Sequence, residues 1–89
     1  MTKPTVHLNG TAAADLLAQY TKAHSAVQDA MDALSAAAPH GRDYYPQDTV
    51  SAGYTFRDAQ QEHRDRYQKL WLVQQELQEL MEHVWEKGK

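Results

Sequence analysis

The sequence contains no cysteine, one phenylalanine, three prolines and four glycines in 89 residues. Without cysteine there is no disulfide staple, no thiolate zinc site and no cysteine nucleophile. The absence also fits a reducing compartment. No apolar run exceeds a few residues, so no segment reads as a bilayer-spanning helix. Met1-Thr2-Lys3-Pro4 lacks the apolar stretch of a signal peptide. These absences predict a soluble chain of the cytoplasm with no membrane partner. An excess of positive charge is missing too: nine Lys and Arg stand against twelve Asp and Glu, a formal charge of -3. Arg57, Arg64, Arg66 and Lys69 are interleaved with Asp58, Glu62 and Asp65, and Glu76, Glu79, Glu82 and Glu86 follow. That pattern reads as a solvated helix face. It lacks the concentrated basic patch that duplex nucleic acid requires.

The few prolines and glycines punctuate the chain into an arm, a helix, a loop and a second helix. Pro4 opposes helix, and Val6 and Leu8 alternate around His7, so residues 1–10 read as an extended arm. Asn9-Gly10-Thr11 then offers a helix start, with Asp15 placed to favour the positive end of the dipole. The next stretch, 11–38, has neither Gly nor Pro. Ala13, Leu17, Tyr20, His24, Val27, Met31, Leu34 and Ala38 recur in steps of three and four, which puts them on one stripe of a helix. Pro39 and Gly41 end it. A loop over 39–52 leads to a second helix over 53–87, with Ser51-Ala52-Gly53 blurring its start and Gly88 marking its end. Its stripe includes Phe56, Ala59, His63, Tyr67, Leu70, Leu77, Met81 and Val84, flanked by Val73 and Leu80. The fold class is therefore all-α: an antiparallel helical hairpin forming a single domain.

A lone hairpin of this length buries little apolar surface. Trp71, Leu72 and Trp85 lie off the second helix's stripe. This predicts a homo-oligomer, a helical bundle in which subunits cover one another. The alternative is that the N-terminal arm covers Trp71 and Trp85 within one chain.

The loop is the chemically richest segment. Ala38-Pro39-His40-Gly41-Arg42-Asp43-Tyr44-Tyr45-Pro46-Gln47 holds a guanidinium, a carboxylate, an imidazole and two phenols between two prolines. Arg42 offers a planar fork of donors matched to phosphate or carboxylate oxygens. Tyr44 and Tyr45 offer faces for stacking and hydroxyls for orientation. His40 and Asp43 suit ring edges or a ribose hydroxyl. Asn9 and Thr11, at the first helix's start, form an anion-friendly terminus. They lie at the far end from the loop, so one pocket containing both needs a second subunit. The competing reading is an Arg42–Asp43 clamp with the tyrosines capping the bundle.

His24 and His63 form the second constellation. A compact reversal would make facing residue numbers add to about ninety, which sets Tyr20 and His24 beside Tyr67 and His63. This layer reads as packed, hydrogen-bonded side chains or a register key. Glu62 would complete a three-ligand metal set, but neither helix carries a His-x-x-x-His or Glu-x-x-His pair, so no metal is expected. His63 also counts among the ligand-binding candidates. His7 and His83 would meet if the arm packs beside the second helix's end. No Ser-His-Asp arrangement, Walker loop or Gly-x-Gly-x-x-Gly pattern is present, so neither an enzyme nor a cofactor is expected.

Val6-His7-Leu8-Asn9-Gly10-Thr11, the loop string from Ala38 to Gln47, and Glu62-His63 together resemble small uncharacterised proteins of tailed bacteriophages and prophages. The resemblance runs over nearly the whole chain and implies a phage accessory protein acting in the bacterial cytoplasm. Small oligomeric phage proteins of this kind include sponges, which sequester nucleotide signals of bacterial immunity. By that analogy the expected ligand is a small anion, a cyclic or ADP-ribose-type nucleotide. It would be held without catalysis by His40, Arg42, Asp43, Tyr44, Tyr45, Asn9, Thr11 and His63. The alternative is a structural or adaptor protein of the phage that works through helix-mediated protein contacts.

Overall fold

In a computed structural model, the described residues are 1–6, 10–40 and 49–88, with side chains from 12–40 and 55–88 besides the arm. Among them the regular elements are two helices, α1 over Gly10–Ala36 and α2 over Thr49–Lys87, packed against each other. The chain is an all-α helical hairpin.

The stripes read from sequence are the packed faces. Ala13 and Met31 of α1 and Val84 of α2 are buried. Leu17, Tyr20, His24, Val27 and Leu34 line the same seam half-buried, as do Phe56, Ala59, His63, Tyr67, Leu70, Leu77 and Met81 on α2. Ala38 is exposed, because α1 ends two residues before it. The Ala37 amide reaches both Ala33 O and Leu34 O, at 3.2 and 3.0 Å, and the Ala38 amide reaches Ser35 O at 3.3 Å. The last turn thus tightens before Pro39, which disfavours a helical Ala38. At the other boundary α2 begins at Thr49, four residues ahead of expectation. Gly53 is an interior helix residue whose cost of about 1 kcal/mol is absorbed by a 39-residue element.

The register differs from the sequence expectation. The Gln74 side-chain amide donates to Gln28 Oε1 at 2.8 Å. A Cβ built on Gly88 would lie 2.9 Å from Ala13 Cβ, so only a glycine allows this close approach. Leu17 and Thr21 share a groove with Met81, Glu82 and Trp85. Facing positions therefore add to about one hundred and two, and α2 has slid along α1 by about 20 Å relative to a tight reversal. α1 ends level with the turn around Arg66, and about 24 Å of α2 runs on beyond it. The overall extents of 63 × 20 × 11 Å follow from this slide. α2 alone is about 58 Å long, and α1 overshoots its far end by one turn.

The arm packs where α2 ends. Residues 1–6 have no regular secondary structure, Pro4 and Val6 are half-buried, and His83 Nε2 donates to the Pro4 carbonyl at 2.9 Å. His7 lies outside the described residues, so its meeting with His83 does too. No described helix is long and apolar enough to cross a membrane.

Candidate functional site

Two separate places on the hairpin hold the residues singled out from sequence. At the end where α1 stops, Pro39 is half-buried and His40 is exposed. Extending the register past Ala36 brings His63, half-buried on the seam stripe of α2, to the level of Pro39 and His40. Arg42, Asp43, Tyr44, Tyr45 and Asn9 lie outside the described residues. Thr11 belongs to the first turn of α1. The length of α1, about 40 Å, separates it from His40, so these two candidates do not share a site within one chain.

The expected layer of His24, His63, Tyr20 and Tyr67 does not form. With the observed register His24 faces the Gln78 turn, about 22 Å along the axis from His63. The reason is the slide of α2: loop length sets an upper limit on the separation of helix ends, and side-chain fit decides where within it they settle. Among the described residues no group of three or more His, Asp or Glu is placed to hold a metal ion.

The polar layer the seam does contain is Gln28 and Gln74. Gln74 is a buried polar side chain, and its amide donates to Gln28, whose own amide donates to Asp32 Oδ1 at 2.9 Å. A chain of hydrogen bonds thus leads from the seam to the outer face of α1 and ends on a carboxylate. Sequence reading passed over this pair. The signal was present as a gap: the α2 stripe steps seven residues from Leu70 to Leu77, and Gln74 fills the missing position.

The second place is the uncovered surface of α2. Trp71, Leu72, Val73 and Trp85 expose between 42% and 59% of their surface. With the arm in place, Trp71 and Trp85 remain exposed. His83 and Trp85, two positions apart on a helix, point nearly opposite ways, and the arm takes the His83 side. On the Trp85 side an open groove of about 280 Å³ runs between the helices, lined by Leu17, Thr21, Met81, Glu82 and Trp85. Thr21 narrows nothing there, because its hydroxyl folds back onto Leu17 O at 2.8 Å.

No protein-family model, no curated protein and no solved structure matches this chain. The fold and the exposed surface define a class, an all-α helical hairpin with exposed tryptophans along α2.

Proposed function

We propose that this chain is a non-catalytic interaction protein that works through the outer surface of α2, in the structural or adaptor role its phage-like sequence suggests. One observation carries the reading. Three large apolar side chains, Trp71, Leu72 and Trp85, stand exposed on one flank of α2, while the deeply buried apolar residues among those described are Ala13, Met31 and Val84. Adjacent exposed apolar side chains such as Trp71 and Leu72 on a small protein mark a contact for another macromolecule. A second copy of the chain is the first partner to test. Replacing Trp71 and Trp85 together with serine should leave helix content unchanged and monomer stability within about 0.5 kcal/mol, while abolishing association measured by sedimentation. A wild-type chain that sediments as a 10.1 kDa monomer at high micromolar concentration would defeat self-association.

Ligand sequestration is the second reading. It rests on the His40–Tyr45 string, supported by the register that brings His63 level with His40. Its test is direct: incubate the protein with cyclic nucleotides and ADP-ribose derivatives, remove free ligand, release by heat and weigh what comes off. Stoichiometric release from wild type and its loss in Arg42→Ala would make the protein a sponge. No release would leave the contact surface as its function.

A further inference from the structure

The bare flank of α2 has an ordered charge pattern. Between about 20° and 160° around the helix from Gln74, taking 100° per residue, lie Arg57 and Arg64 in the first half. Gln68, Trp71, Leu72 and Gln75 occupy the middle, and Glu79, Glu82 and Glu86 the last part. No acidic side chain interrupts the first half of this flank and no basic one the last. The opposite flank is mixed, with Asp58, Glu62, Arg66, Lys69, Glu76 and Lys87. Segregation confined to the flank that carries the exposed tryptophans is what a self-complementary surface requires.

We infer that α2 pairs with α2 of a second copy, antiparallel about a two-fold axis passing beside Trp71 and Leu72. This deepens the self-association proposed above and rests on it. In an isologous interface each patch meets its own copy in reverse. Reversal about this axis brings Arg64 to Glu79 and Glu82 of the other copy, and Arg57 to the turn containing Glu86. Trp71 and Leu72 meet their counterparts at the centre. Trp85 reaches the level of the Arg57–Gln61 turn. Parallel pairing would instead stack Glu79, Glu82 and Glu86 on themselves.

The surface area agrees. The chain exposes 6654 Å², whereas a compact monomer of this mass exposes about 5,300 Å². The excess exceeds the roughly 800 Å² per partner of a standard interface. The radius of gyration, 19.4 Å, compares with about 12 Å for a compact domain of this length. On the α1 side the groove beside this flank is lined by Leu17 and Thr21.

The absence of native cysteine makes the test clean. A Gln61→Cys chain mixed with a Glu82→Cys chain should form a disulfide-linked heterodimer under mild oxidation, while neither alone does. Antiparallel pairing sets these positions opposite one another and holds like positions about 30 Å apart. Leu72→Cys should link to itself. Arg64→Glu should weaken the dimer about tenfold, and adding Glu79→Arg to that chain should restore it. Dimers that form without the mixed link, or that link Gln61→Cys to itself, overturn the antiparallel geometry and leave self-association standing. A chain that remains monomeric overturns both.

Discussion

The two flanks of α2 are built from similar residues and end in opposite states. On one, the arm crosses the helix end. His83 holds the Pro4 carbonyl, Val6 is half-buried, and Val84 beneath is almost wholly shielded. On the other, Trp71 and Trp85 stand in the open beside a groove. Amount of apolar surface does not separate them, since the bare flank carries the larger side chains. What separates them is the supply of chain. Residues 1–6 serve one flank at the helix end, and on the other Leu17 and Thr21 of α1 only border the groove beside Trp85. The arm shields its flank only near the helix end, since Val73 on the same side stays exposed.

The seam between the helices supports both flanks from beneath. Met31→Ala removes a buried side chain from a core with few others. It should cost about 3 kcal/mol in chemical denaturation, enough to unfold a large share of the monomer. A cost under about 1 kcal/mol would show that the seam is not what holds the hairpin.

A smaller effect sharpens the register on which both flanks depend. Gln74→Ala should destabilise by about 1 kcal/mol, since it opens a void and removes the bond to Gln28. Gln74→Leu should be neutral or stabilising, yet let the helices slide. Hydrogen exchange checks this: protection near Gln28 should fall in Gln74→Leu while the melting temperature holds. Unchanged protection in both variants would remove the pair from its register role.

The closed flank gives the smallest change. His83→Ala frees the arm and should cost about 0.5–1 kcal/mol, with residues 1–6 gaining protease sensitivity. Association should persist, because the tryptophan flank is untouched. Should His83→Ala abolish association instead, the arm and not α2 is the contact surface.

Much of the fold was legible in the chain. Steps of three and four along Ala13–Leu34 and Phe56–Val84 define stripes that need no tertiary information, since 3.6 residues per turn brings them to one face. Gly88 reads as a terminator and serves as one, with the further task of admitting Ala13. The candidate site was less legible. The His24–His63 layer does not form because connection length alone does not fix the offset of two helices; the fit of their side chains does, as the Gln28–Gln74 contact shows. Gln74 was passed over because glutamine reads as a surface residue until a neighbour satisfies its amide.

Two amphipathic helices, the turn signals between them and a surplus of apolar residues on the second are local properties of the chain. These follow from local periodicity and backbone preference, which each segment carries wherever it is placed. Tertiary structure alone decided the slide of α2 along α1, the Gln28–Gln74 contact, and which flank the arm would close. Those outcomes depend on how particular surfaces fit, as where Ala13 meets Gly88, and no local pattern encodes the fit between segments far apart in the chain.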